Sequence, residues 1–219
     1  MKHSVKLLAA GCIAAAALSA CSGEEPFEVK GEGKVFISTT LNSDVKARSR
    51  ATVEELREST KIWISNSTGL VRHFDSPNDL PSEGIKLVAG NYVAEAWAGD
   101  SVPASFDDRY FKGRQDFTVT RGSNTAVEIT CKIANSVVKV VWDETVADVL
   151  TDYKLTVGNT QGSLEFAADE TRLGYFMRNS RDANLSCTVA GTLLNGQAYT
   201  KEFTIDDILP EGTESQLPF

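Results

Sequence analysis

Apolar and polar residues alternate with a period of two along most of this chain, and clusters of turn residues cut the alternation into short segments. Lys34 to Leu41 (KVFISTTL) alternates and is rich in β-branched and aromatic residues, the pattern of a half-buried strand. Thr52 to Ser59 is the one stretch that reads as helix: Thr52 and Glu55 stand at capping-box spacing, with Val53 and Leu56 on one side. Lys61 to Ser65 and Leu70 to Phe74 flank Asn66-Ser67-Thr68-Gly69, a hairpin signal. In Pro81 to Ala98, Ile85 and Leu87 point one way, Ala89-Gly90-Asn91 bends the chain, and Tyr92, Ala94 and Ala96 continue an inward face. After a loop over Ser101 to Phe111, strands Arg114 to Thr120 and Thr125 to Ile133 flank the turn Arg121-Gly122-Ser123-Asn124.

A second series follows: Asn135 to Trp142, Tyr153 to Val157, Ser163 to Ala167, Leu173 to Met177, Leu185 to Ala190 and Gln197 to Ile205. Short strands at turn-spaced intervals, with almost no helix between them, predict an all-β fold of two tandem antiparallel, immunoglobulin-like β-sandwich domains. The expected division is a leader over 1–20, an acidic tether over 21–32, one sandwich over 33–134 and a second over 135–219. No proline- or glycine-rich spacer separates the halves at Ala134-Asn135, which predicts a fixed interface between them.

The N-terminus changes the picture. Lys2 and Lys6 precede an apolar run from Leu7 to Leu18, and Leu18-Ser19-Ala20-Cys21 closes it. That is the order of a secretory peptide and too short for a spanning helix, and its end has the form of a bacterial lipoprotein signal. Cleavage before Cys21 and acylation of that cysteine would attach the body to a membrane by lipid, since two or three chains on one residue hold lastingly.

The net charge is −8, more negative still without the two leader lysines. A negative body repels phosphate backbones, which argues against nucleic acid as a partner. Cys12 leaves with the leader and Cys21 is taken by lipid, so Cys131 and Cys187 remain. Each lies on the apolar parity of a strand, which favours two separate buried thiols over a bridge.

Catalytic chemistry is thinly supplied. Outside the leader the only histidine is His73, and its strand neighbours include no nucleophile for a Ser-His or Cys-His pair. Zinc ligands are too few, no phosphate-cradling glycine loop or calcium loop occurs, and no cofactor is implied. Asp107-Asp108 and Asp206-Asp207 read as solvated loop acids. Trp63 and Trp97 are different, because Ile62, Ile64, Ala94 and Ala96 take the inward parity and leave both indoles on the opposite face. An outward tryptophan suits a sugar ring or a protein partner; the alternative is packing under loops or against the second half. Trp142 follows Val138 and Val140 and reads as core.

The order LP-x-x-GIKL-x-AGNYV-x-EAWAGD, then Tyr110-Phe111-Lys112-Gly113, Phe117-Thr118-Val119 and Val127 to Asn135 resembles the domain-of-unknown-function 4493 family of Bacteroidetes surface lipoproteins. The resemblance implies a fimbrillin-like, transthyretin-type sandwich of the kind that builds or decorates fimbriae and acts in adhesion, with no catalytic residues defined. Ser22-Gly23-Glu24-Glu25 resembles the surface-export signal of that phylum, which implies an outer-membrane lipid anchor with the body facing outward. Fimbrillins are cut after an arginine beyond the first strand, and Arg48 and Arg50 occupy that place here as candidate processing sites. Asp100-Ser101-Val102 resembles the phylum's O-glycosylation motif, with Ser101 as the acceptor. The expected function is a non-enzymatic surface lipoprotein in adhesion or fimbria assembly, with fimbrial subunits, a surface protein or a glycan as partner. The alternative is a surface glycan-binding lipoprotein of a polysaccharide-uptake system.

Overall fold

The computed structural model describes residues 31–42, 52–178 and 184–205, together with the backbone of 214–218. Cys21, Arg48, Arg50 and Asp206-Asp207 lie outside the described residues. The chain runs through β1 (Glu32–Asn42), a short helix α1 (Val53–Glu58), β2 (Lys61–Asn66), β3 (Gly69–Phe74), β4 (Ile85–Val88), β5 (Gly90–Ala98), the two-residue β6 (Ala104–Ser105), β7 (Phe111–Val119) and β8 (Asn124–Ile133). It continues through β9 (Asn135–Val141), β10 (Leu150–Gly158), β11 (Ser163–Ala167), β12 (Gly174–Met177), β13 (Leu185–Leu193), β14 (Ala198–Ile205) and β15 (Glu214–Pro218).

Local chemistry explains the punctuation. Thr52 caps α1 reciprocally: the Glu55 amide donates to Thr52 Oγ1 at 3.2 Å, and the Thr52 amide donates to Glu55 Oε2 at 2.7 Å, so two end donors are satisfied. That bond and the Thr52 hydroxyl hold the Glu55 carboxyl below its usual pKa. Leu56 is the residue α1 buries.

Three hydrogen-bonded sheets result, with strand orders β3-β2-β5-β7-β8-β1-β4, β11-β10-β13-β14 and β15-β9-β12-β6. In the seven-stranded one, β5 and β7 pair along their whole lengths, and so do β1 and β8, but β7 and β8 meet only at Phe111–Ile133 and Lys112–Lys132. The sheet therefore folds at that corner into two layers, β3-β2-β5-β7 and β8-β1-β4, whose inner faces form one hydrophobic cluster. Gly113 lies just past the paired residues, where a Cβ would come within 2.6 Å of the Thr130 carbonyl oxygen. Only glycine allows the strands to approach so closely there.

One expectation needs correction. The sandwich is not wholly antiparallel, because β1 runs parallel to β8 and β15 parallel to β9. Alternation fixes which face a residue takes and carries no information about the direction of the neighbouring strand. Sheet membership also crosses the expected boundary at Ala134-Asn135 in both directions. Ala104 and Ser105, expected as loop, pair with Phe176 and Tyr175 of β12, while Val137 and Tyr175 pack into the first cluster.

The second cluster joins Val138, Val140 and Phe176 of one sheet to Leu155, Val157, Leu185, Cys187 and Val189 of another. Val137 and Val138 thus point to opposite clusters, as do Tyr175 and Phe176. The β15-β9-β12-β6 sheet serves the second core with one face and closes the end of the first with the other.

Cys131 and Cys187 are both free and buried, as their parity implied. Burial pushes each thiol up to about 11. A thiol held protonated in the folded chain but ionising near 9 in the unfolded one stabilises the fold below that value, and the contribution is lost as pH rises through 9 towards 11. The melting temperature is expected to fall over that window, less steeply in a Cys131→Ala, Cys187→Ala variant, and a thiol reagent at neutral pH is expected to label neither residue until denaturant is added. Gly99 has φ +84°, and a Cβ on it would strike the Arg109 carbonyl. Gly99→Ala is expected to cost more than about 2 kcal/mol in urea unfolding.

Candidate functional site: an aromatic and cationic sheet face

The inner face of β5 is Tyr92, Ala94, Ala96 and Ala98, all buried, and that of β2 is Ile62 and Ile64, both fully buried. Period-two geometry then forces Trp63, Val93, Glu95 and Trp97 onto the outer face. Trp63 is 44 % exposed and Trp97 is half-buried. Their rings meet edge to face, with centroids 4.8 Å apart and planes at 78°. The two indoles therefore pack on each other on the outside of the sheet, and one of them remains largely open to solvent.

Register fixes what surrounds them. Trp63 lies between His73 of β3 and Glu95 of β5, and Glu95 in turn lies opposite Arg114 of β7. Trp97 lies between Lys61 of β2 and Lys112 of β7, and Lys112 is opposite Lys132 of β8 at the corner. The carboxylates on the face are engaged: Glu95 is 3.8 Å from Lys112 and Asp116 is 3.2 Å from Arg114. Tyr110 borders the same face; partial burial pushes its phenol pKa up, with the Glu95 charge adding to the effect.

One row further along, Ser65 and Val93 pair, and an open groove of about 610 Å³ begins there, lined by Asn66, Asn91, Val93, Asp116 and Thr118 among others. The Thr118 hydroxyl donates to Asn91 Oδ1 at 2.8 Å. The outer face thus combines an aromatic pair, flanking cations and a polar groove, the usual makings of a shallow binding surface.

The remaining sequence candidates fall elsewhere. Ser101 is exposed in the loop after β5, where the Val102 amide donates to the Asp100 carbonyl at 3.0 Å. Asp107 and Asp108 are tied into local structure: Asp108 accepts from Ser105 Oγ at 2.8 Å and Asp107 lies 3.6 Å from Arg172. His73 is exposed on β3 and faces Trp63. Among the described residues no three His, Cys, Asp or Glu side chains gather to hold a metal ion.

Trp142 is half-buried, with its indole N–H donating to the Ala167 carbonyl at 3.2 Å and its ring edge to face with Tyr153. It lines an apolar cavity of about 350 Å³ with Leu150, Val189, Tyr199 and Phe203. Sequence reading put both indoles on the outer face but missed Lys61, Lys112 and Lys132, which are far apart in the chain and fall into one row only through strand pairing.

By fold this is an all-β chain of layered sheets that presents an aromatic face on one layer. It belongs to the family described as domain of unknown function DUF4493, which it matches over residues 31–213. No curated protein matches the sequence. Among solved structures it is similar to a candidate adhesin from Bacteroides ovatus, with 8 % identity, TM-score 0.46 and coverage of 85 % of this chain and 87 % of that one. It is also similar to a candidate polysaccharide binding protein of the DUF1812 group from Bacteroides thetaiotaomicron, with 9 % identity, TM-score 0.45 and coverage of 76 % and 78 %. A candidate cell adhesion protein from Bacteroides uniformis shares 10 % identity at TM-score 0.42, covering 89 % and 93 %.

The two faces of β2 differ sharply in what they hold up. Trp63→Ala removes an edge-to-face pair on the surface and is expected to cost about 0.5–1.5 kcal/mol in urea unfolding, whereas Ile64→Ala, one residue on, opens a core cavity and is expected to cost about 2–5 kcal/mol.

Proposed function

We propose that this chain is a non-enzymatic cell-surface lipoprotein of adhesion type. Lipid on Cys21 holds it at the outer membrane with the body facing outward, and the outer face of β2, β5 and β7 grips an external partner, a surface glycan or a surface protein. The observation that carries this reading is the Trp63–Trp97 pair. An indole contributes nothing to the core from that position, yet it offers the large amphipathic surface that recognition of a sugar ring or a protein uses. The adjoining groove gives a bound chain somewhere to lie. Buried thiols pushed up to about 11 are poor nucleophiles, which supports a binding role over a catalytic one.

A second reading, subunit assembly, is favoured by the placement of β1. That strand pairs with β8 on one side and β4 on the other, so cleavage at Arg48 or Arg50 followed by loss of β1 would leave a strand-wide slot for a partner strand. Ser101, exposed beside the face-bearing strand β5, fits use as a glycosylation acceptor.

Cells carrying the wild-type protein are expected to bind immobilised glycans or host-surface extracts. Trp63→Ala and Trp97→Ala should each lower binding about ten-fold or more, a loss of roughly 1.4 kcal/mol or greater, while Cys21→Ala should release the protein from the membrane fraction. Undiminished binding by both tryptophan variants would overturn the face as the site. N-terminal sequencing of the surface protein separates the readings, because a chain that retains Lys34 to Leu41 excludes assembly by strand loss.

A further inference from the structure

The row across the sheet that holds Trp97 reads Lys61, Trp97, Lys112, Lys132 on β2, β5, β7 and β8. At about 4.8 Å per strand, it sets Lys61 and Lys112 on either side of the Trp97 indole and adds Lys132 beyond Lys112, at the corner where the sheet folds. All three lysines are exposed. Lys112 and Lys132 are directly opposite each other, an arrangement that ordinarily destabilises a sheet. Glu95, at 3.8 Å from Lys112, is the carboxylate that the structure pairs with the row, and Asp116 is engaged by Arg114. In a chain of net charge −8, such a row is a local reversal of sign.

We propose that this row is a subsite for the acid group of an anionic sugar, a ring bearing a carboxylate or a sulfate. The proposal rests on the reading that the Trp63–Trp97 face binds a ligand, and it names the ligand's class. The apolar face of a sugar ring lies against an indole while its acid group reaches an ammonium on either side. Lysine suits this role because it is a mobile point charge that needs no bidentate geometry. An anion bound there also relieves the repulsion between Lys112 and Lys132. A single edge-to-face pair offers one stacking surface, not the file of aromatic rings on which successive bases of a nucleic acid strand stack.

The test is a titration of the full-length protein, followed by tryptophan fluorescence, with four probes of similar length: a neutral gluco-oligosaccharide, an oligogalacturonate, a sulfated chondroitin oligosaccharide and single-stranded oligothymidylate. At least one acidic sugar is expected to bind about ten-fold more tightly than the neutral one at ~0.05 M salt, with the advantage fading by ~0.5 M as the charges are screened. A triple variant, Lys61→Gln with Lys112→Gln and Lys132→Gln, is expected to lose that advantage while keeping the binding that Trp63→Ala weakens, and to melt no lower than wild type.

Equal affinity for neutral and acidic sugars, or a triple variant that retains the preference, overturns the anion subsite and leaves the adhesion reading standing. Oligothymidylate binding as tightly as the acidic sugars overturns the assignment to carbohydrate. If no probe binds, while surface adhesion still depends on Trp63, the ligand is not a sugar and the proposal fails. If adhesion does not depend on Trp63 either, the adhesion face falls with it.

Discussion

The close approach of the two layers at β5 is the constraint on which the rest of the first cluster depends. Ala94, Ala96 and Ala98 are essentially fully buried, and their small side chains let β8 come close enough for the Cys131 thiol to donate to the Ala96 carbonyl at 3.6 Å. Larger residues there would force the layers apart or strain their rotamers. A shift of β5 by one residue would bring Glu95 and Trp97 inward in place of the alanines. The register of β5 is therefore strongly held, and the indole on its far side is displayed from a strand that cannot slip. A binding group carried on such an element is positioned more accurately than one on a loop.

The second cluster is coupled to the first by alternation within single strands. Val137 and Val138, one residue apart, serve different cores, and so do Tyr175 and Phe176. β6 reinforces this joint: the excursion between β5 and β7 reaches over to pair with β12, and the Met177 amide donates to the Pro103 carbonyl at 2.9 Å. Adjacent residues that face opposite ways across one sheet leave no flexible linker between the two bodies of packed side chains.

Much of this was legible in the chain, in a way that follows from its physics. Parity alone placed Ile62, Ile64, Ala94, Ala96, Val127, Ile129 and Cys131 inside and Trp63 and Trp97 outside, because a strand has only two faces. The cap at Thr52 and the turns at Gly69 and Gly122, with φ of +123° and +71°, were legible because each is a local requirement. What stayed hidden was relational. Parallel pairing of β1 with β8, the reach of β6 to β12 and the lysine row all depend on which strands become neighbours. Lys61 and Lys132 carry no mark in the sequence that they share a row with Trp97. The Trp142 cavity was hidden for a related reason: apolar parity marks a side chain as inward but cannot tell a closed core from its open margin.

The position of β1 has a mechanical meaning. Its hydrogen bonds to β8 run from Lys34 to Asn42 and those to β4 from Glu32 to Val35, all transverse to the strand. Tension applied from the N-terminal side pulls along β1, so these bonds are loaded together in shear and do not open one after another like a zipper. The first strand inward from residue 31 is thus seated between two neighbours like a bolt in its housing, and a pull on that end of the chain is spread over both.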